Sequence, residues 1–429
     1  MQYAFILGRV YTLSLAELFS VLAQYPELEI KILDVSPEIL IIETASSLDV
    51  EKLQKQLGGT VKILKIIDIV KKREQDSINF ALQNYFKPSK LKTDFLKSYT
   101  GKIQIGVSVY LLDMELRPFG EPKRVGMFIK RGLQDGGASI RVVLPEFNSL
   151  ALASVVVTKN LLLTKGAEIC VIAGKDYVYT AKTLVVQDFE DYGRRDYQRP
   201  IRDEKQGMIP PKVAQIMLNF SGAKSGETIL DPFCGIGTIL QEGMLIGFRA
   251  LGADINPKAI SGSETNLEWF CNRYKIPRGK FHLEVADAQS ISDLVSKLAT
   301  LGAFKEIKAV VTEGYLGPMY SEYPNSKDIS DNFAELEILY TKSFKEFLKI
   351  LPKSGRVVIC LPAYRNNKAE YEELPNLDFV TKLGYNLVSS IVPNLASKFP
   401  FLKQTSRGSI IYDRKDQIVA REIVIFEKI

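Results

Sequence analysis

Apolar residues recur along this 429-residue chain with two periods, and the periods alternate in a regular order. In the first stretch, alternating or continuous apolar runs at 2–7, 30–35, 39–43 and 60–70 predict strands. Ser14 with Glu17 three residues later reads as a capping box, which opens a helix running to about residue 25. Asp49 caps a second helix over 50–57, and Gly58–Gly59 ends it. The order βαββαβ over residues 1–75 is that of a ferredoxin-like module.

Residues 76–187 form a second segment, with helical periods at 78–86, 125–133 and 149–162 and strand patterns at 102–110 and 140–143. A strand pair at 167–173 and 177–186 closes it. Residues 188–225 read as a linker and lead-in, in which Pro210 and Pro211 open an apolar-periodic helix through Val213, Ile216, Met217 and Phe220. From 226 to 429 strands and helices alternate. The strands are expected at 228–230, 250–253, 281–285, 309–312, 356–361, 385–392, 408–412 and 419–426, with helices such as 257–274 and 331–351 between them. This is an α/β, Rossmann-like pattern of parallel strands closed by an antiparallel pair.

The chemistry concentrates where a strand runs into glycines. The stretch TILDPFCGIGT at 228–238 reads as a buried strand, an acid, a glycine turn and a helix start. Gly235 and Gly237 allow backbone angles and close ligand approach that a Cβ forbids. The helix that follows presents unpaired N–H groups and a positive dipole end. A second acid, Asp254, ends the next apolar run, and a third, Asp287, follows the one after. Strand, glycine turn, helix, strand, acid is the layout of a nucleotide-like cofactor site.

Composition narrows the picture only a little. The net charge is +6, with basic residues grouped in 76–187: Lys87, Lys90, Lys92, Lys97 and Lys102, then Lys123, Arg124, Lys130, Arg131 and Arg141. Such a face suits phosphates, although a charge run is more often a solvated surface. The four cysteines are widely spaced and there is one histidine, so no metal site is expected. No long uncharged apolar run marks a membrane span, and the amino-terminal stretch reads as folded strand and helix, so a cytoplasmic protein is expected.

Asp231-Pro232-Phe233-Cys234-Gly235-Ile236-Gly237-Thr238 resembles motif I of class I S-adenosylmethionine-dependent methyltransferases. Val186-Gln187-Asp188, Arg195-Asp196, Arg199-Pro200, Arg202-Asp203 and Gly207-Met208-Ile209-Pro210-Pro211-Lys212 resemble the lead-in of THUMP-domain tRNA methyltransferases that modify the guanosine N2 amine. The resemblance covers most of the chain. It implies a ferredoxin-like domain at 1–75, a THUMP RNA-binding domain at 76–187, a linker at 188–225 and a methyltransferase domain at 226–429. It implies S-adenosylmethionine contacts from Pro210, Asp231, Phe233, Gly235, Gly237, Thr238, Asp254, Ile255, Asp287 and Ala288. Asp231 would attract the cationic end, Asp254 the ribose hydroxyls and Asp287 the adenine amine.

The acceptor half departs from the family. Where the family has Asp-Pro-Pro-Tyr, this chain has Thr312-Glu313-Gly314-Tyr315. Tyr315 keeps the aromatic place, Thr312 falls on the Asp and Gly314 on the second Pro, while Glu313 brings a carboxylate one residue later. The expected function is methylation of a guanosine N2 amine in tRNA, gripped by the basic amino-terminal domains. The resemblance also admits a small activator subunit, which no motif marks. The rival reading is a divergent SAM- or RNA-binding protein without methylation activity.

Overall fold

The computed structural model describes residues 1–71, 82, 85–96, 103–113, 116, 122–135, 139–202, 208–302, 304, 306–365, 370–414 and 417–429. The expected helix at 78–86 falls almost wholly outside the described residues, as do Lys97, Lys102, Asp203 and Gly207. The chain divides into two compact units, mainly 1–189 and 190–429.

The first unit runs β1 (Gln2–Leu7), α1 (Tyr11–Leu22), β2 (Lys31–Val35), β3 (Ile39–Glu43), α2 (Val50–Gln56) and β4 (Thr60–Lys71). It continues with α3 (Pro88–Phe95), β5 (Ile103–Leu111), α4 (Pro122–Gln134), β6 (Ile140–Val143), α5 (Ser154–Lys159), β7 (Gly166–Ala173) and β8 (Tyr177–Val186). All eight strands share one sheet, in the order β2-β3-β1-β4-β8-β7-β5-β6. The first four pair antiparallel, whereas β5 pairs parallel with both β6 and β7.

Several elements differ from the sequence reading. α1 begins before Ser14, whose hydroxyl donates back to the Val10 carbonyl instead of capping. The buried side chain of Leu13 extends the apolar face of α1 toward the amino terminus, and a serine within a helix is satisfied by such back-bonding. α5 covers only Ser154–Lys159, because Ser149 closes a local turn on Ala151 and Leu161 is left-handed. Inside the sheet, Lys62 bonds the Glu168 carboxylate at 2.5 Å and the Leu152 carbonyl at 2.7 Å, both side chains fully buried. Ser108 and Thr183 donate to the same carboxylate, so the buried charges are paired and hydrogen-bonded.

The second unit opens with α6 (Phe189–Tyr197) and α7 (Pro211–Phe220), then β9 (Thr228–Asp231), α8 (Thr238–Leu245), β10 (Arg249–Asp254), α9 (Pro257–Tyr274) and β11 (Phe281–Val285). α10 (Ile291–Thr300), β12 (Ile307–Thr312), α11 (Ser326–Ile350), β13 (Arg356–Arg365), β14 (Tyr371–Glu373), α12 (Asp378–Thr381), β15 (Tyr385–Val388), α13 (Pro393–Ala396), β16 (Ile410–Tyr412) and β17 (Val419–Lys428) complete it. The main path of its sheet is β11-β10-β9-β12-β13-β17-β15. The first five are parallel and β17 is inserted antiparallel between β13 and β15. The sequence order therefore reads 3-2-1-4-5-7-6, a Rossmann-like methyltransferase sheet.

α6 lies in what reads as linker. It has no long apolar stripe and is held by ion pairs, Arg194 to Glu190 and Arg195 to Asp191. α11 starts five residues before the expected 331, because the Asn325 side chain accepts from the Lys327 and Asp328 amides. Leu336, Tyr340, Phe344 and Phe347 on α11 pack with Val310, Val357 and Phe426 of the sheet into one core. Among the described residues, no helix is long and apolar enough to cross a membrane.

Candidate functional site

Strand order reverses between β9 and β12, so the chain leaves these neighbours toward opposite sides and a crevice opens at their carboxyl ends. β9 ends in Asp231 and β12 in Thr312, with Leu230 opposite Val310. This topology puts the glycine loop and the acceptor motif, 81 positions apart in sequence (312 − 231), at one edge of the sheet.

The glycine loop is tied down by its own backbone and by two acids. The Asp231 carboxylate accepts from the Phe233 amide at 3.2 Å, the Cys234 amide donates to the Ala253 carbonyl at 2.9 Å, and the Gly235 amide donates to Asp254 Oδ2 at 2.9 Å. Both glycines have positive φ, +52° at Gly235 and +89° at Gly237. They serve different ends. A Cβ on Gly237 would lie 2.5 Å from Ser263 Oγ, so that glycine permits packing against α9. A Cβ on Gly235 would meet nothing within 4 Å, which leaves an open cradle above the loop. Gly237 is also the N-cap of α8 and supplies no side-chain cap.

Of the other predicted cofactor residues, Asp254 is the one bonded to this loop. Asp254 Oδ1 accepts from the Asn256 amide at 2.9 Å. Each of its oxygens thus holds one amide and keeps a second acceptor site, as a carboxylate allows. Ile255, the next residue, is 69% exposed, an apolar side chain presented beside the acid. Asp287 caps its turn, accepting from the Gln289 amide at 2.9 Å, and Ala288 is buried. Phe233 stacks edge-on to Tyr340 with centroids 6.2 Å apart. Pro210 is the N-cap of α7, and Thr238 is the first residue of α8.

Asp231 is 2% exposed, and burial pushes its carboxyl up to about 7. Hydrogen bonds from Thr312 and the Phe233 amide oppose that shift, while the charges of Asp254 and Glu313 add to it. Thr312 sits where the family has an acid, and its hydroxyl accepts from the Gly314 amide at 3.2 Å.

The acceptor loop is pinned from behind by α11. Tyr340 Oη donates to the Tyr315 carbonyl at 2.6 Å, and Asn332 Nδ2 donates to the Leu316 carbonyl at 3.3 Å. Gly314 has φ +65°, and a Cβ there would lie 2.5 Å from Tyr340 Oη. Proline, locked near −65°, cannot occupy that conformation. The loop path therefore differs from one built on Asp-Pro-Pro-Tyr. Glu313 Oε1 accepts from Arg421 Nε of β17, and Arg421 also donates to Gln417 at 2.6 Å. Tyr315 leaves the loop 47% exposed. Sequence reading missed Tyr340, Asn332 and Arg421. Each comes from a distant element, and no local pattern marks it.

The lead-in arginines separate into two kinds. Arg195 is buried between two carboxylates, Asp191 and Glu242, the latter at 2.8 Å. Arg199 is buried against the start of α8, its Nη1 donating to Thr238 Oγ1 at 2.6 Å.

The family described as "RMKL-like, methyltransferase domain" matches residues 199–378. A tRNA (guanine(10)-N2)-dimethyltransferase of Methanothermobacter thermautotrophicus is 38% identical over 94 residues, 22% of this chain and 27% of that protein. One of Pyrococcus abyssi is 25% identical over 195 residues, 46% of each chain. The chain thus spans only about a quarter of the length of the first of these relatives and under half of the second. The solved structure of TrmN from Thermus thermophilus aligns over 100% of both chains at 14% identity with a TM-score of 0.53, a likeness of fold. The open cradle at Gly235, the buried acid beneath it and the exposed apolar residue beside Asp254 fit a sulfonium nucleoside, which has a cationic centre, a ribose and a flat base. Residues 199–378 thus match a methyltransferase domain, the sheet that carries them is a Rossmann-like methyltransferase sheet, and the cofactor is S-adenosylmethionine.

Proposed function

We propose that the protein methylates the exocyclic N2 amine of a guanosine in tRNA. The observation that carries this reading is the pairing of a carboxylate and an aromatic ring, Glu313 and Tyr315, on the loop that adjoins the cofactor cradle. The names of the relatives support the substrate. When bound, S-adenosylmethionine supplies a methyl group activated by the sulfonium. The protein's part is to present the amine, whose lone pair is conjugated into the base. Glu313 accepts one N2 hydrogen and receives the proton as the nitrogen takes the methyl group, with the sulfur keeping the electron pair. Tyr315 stacks on the base once it is turned out of its helix. Asp231 faces the cofactor's cationic end, Asp254 its ribose hydroxyls and Asp287 its adenine amine.

Arg421 favours an active enzyme over a divergent binding protein, because it orients a carboxylate that could replace the missing Asp. The amino-terminal unit would grip the tRNA. Its first four strands, in antiparallel order β4-β1-β3-β2, support a ferredoxin-like domain at 1–75, and we assign 76–187 as a THUMP domain. Action on tRNA places the protein in the cytoplasm in this reading.

The test is mass spectrometry of tRNA nucleosides from cells with and without the gene, together with methyl transfer to unmodified tRNA in vitro. N2-methylated guanosine should vanish without the gene. In vitro, Glu313→Gln should lower kcat about a hundredfold while tRNA binding is retained. Unchanged nucleosides, or full activity in Glu313→Gln, would sink the proposal.

A further inference from the structure

Among the described residues, a buried cation that hydrogen-bonds no acid is the feature of this site that its own protein contacts leave unexplained. Arg199 is 3% exposed. A guanidinium carries five N–H donors. Among the described residues Arg199 spends them on two partners, Thr238 Oγ1 at 2.6 Å and the Met208 sulfur at 2.8 Å, and its buried Nε has none. Both partners are neutral. Asp196 and Glu242 act on Arg199 through space without hydrogen-bonding it, and Arg202 opposes them; burial is the larger effect and disfavours its charge. Arg195, one turn earlier, shows the usual solution, with a carboxylate on each side. Burying a charge unpaired costs several kcal/mol, roughly, so such a group is kept where a ligand completes it.

Its position says which ligand. Thr238 is the first residue of α8, whose N-cap Gly237 offers no side-chain acceptor, so the amides of the first turn face the same place. A helix amino terminus and an unpaired guanidinium together make an anion site. S-adenosylmethionine has one anionic group, the carboxylate of its methionine end. We propose that Arg199 and the first turn of α8 bind that carboxylate, so that Arg199 positions the methionine arm while Asp231 receives its cationic part. This rests on the cofactor reading of the cradle.

The test compares two ligands by calorimetry on the full chain: S-adenosylhomocysteine, which has the carboxylate, and methylthioadenosine, which lacks the amino-acid end. Arg199→Met keeps an unbranched side chain of similar length and removes the charge. It should weaken S-adenosylhomocysteine roughly ten- to a hundredfold and leave methylthioadenosine within about twofold. Without ligand the variant should melt at or above the wild-type temperature, since an unpaired buried charge has been removed. Equal losses for the two ligands would overturn the proposal, as would a loss of tRNA affinity alone. The wild-type protein gives an independent reading should the variant misfold: S-adenosylhomocysteine must bind at least about tenfold tighter than methylthioadenosine, and equal affinities would overturn the assignment. If wild type binds neither ligand, the cofactor reading itself falls.

Discussion

Asp231 is a carboxyl group held where ionisation is costly, with a value pushed up to about 7 by burial. The sign of the consequence follows from linkage. Between the ordinary carboxyl range near 4 and about 7 the folded protein keeps a proton that the unfolded chain has released. The ligand-free protein therefore loses stability as pH rises through that window, and Asp231→Asn should melt higher than wild type at pH 8. A cationic ligand reverses the preference, since it favours the ionised form. Affinity for S-adenosylmethionine should rise severalfold from pH 6 to pH 8 with release of a proton, and Asp231→Asn should be weaker and nearly flat. Calorimetry in buffers of different ionisation enthalpy checks both effects. Thr312 belongs to the same arrangement, since its hydroxyl acts on this acid and opposes the rise. Restoring the family's residue by Thr312→Asp would set a second carboxyl against Asp231, and thermal melts should show a loss of about 2–4 kcal/mol.

Among the elements, the acceptor loop is shaped by a helix far along the chain. Tyr340 on α11 holds the Tyr315 carbonyl, and its hydroxyl fills the space that a side chain at position 314 would need. Tyr340→Phe should cost about 1 kcal/mol of stability and lower kcat with little change in binding of S-adenosylhomocysteine. Gly314→Pro would make the motif look more like the family's and should nonetheless abolish activity, because φ is +65° there. A variant with wild-type rates would refute this account of the loop. The sheet of the amino-terminal unit has its own dependence on a buried pair. Glu168→Ala would strand the ammonium of Lys62 and should cost about 3–5 kcal/mol, read from denaturant melts.

For the molecule as a whole, charge matters most if tRNA is the substrate. The net charge of +6 is modest, but α4 turns Val125, Ile129 and Leu133 inward and leaves Lys123, Arg124, Lys130 and Arg131 exposed. By contrast, Lys90 of the earlier basic run is tied to Asp68 at 2.7 Å and to Asp94 at 3.6 Å. The basic face that remains is therefore narrower than the count of lysines suggests. Exchanging the four α4 cations for glutamine should weaken tRNA binding and flatten its dependence on salt by up to ~4 units of log–log slope. Affinity for S-adenosylhomocysteine should not change. A slope unaffected by the four substitutions would exclude this face from RNA binding.

The sequence by itself determined whatever depends on neighbours along the chain. Period-2 and period-3.6 patterns marked the main strands and helices, and glycines with flanking acids marked the cradle at 231–238 and Asp254. These signals are local because backbone conformation and loop geometry are local. α6 escaped because ion pairs hold it in place of an apolar stripe, and the start of α11 because its cap is a lone asparagine. Tertiary structure alone decided what depends on partners distant in sequence. Lys62 is buried against Glu168, a partner 106 positions away in sequence. Arg421 becomes relevant only because β17 is inserted next to β13, which brings its guanidinium to Glu313 across 108 positions. Arg195 and Arg199 look alike in the sequence, and what separates them among the described residues is that Arg195 is ion-paired to two carboxylates and Arg199 is hydrogen-bonded to none. A charge takes its meaning from the groups the fold packs around it, and one sequence does not list those groups.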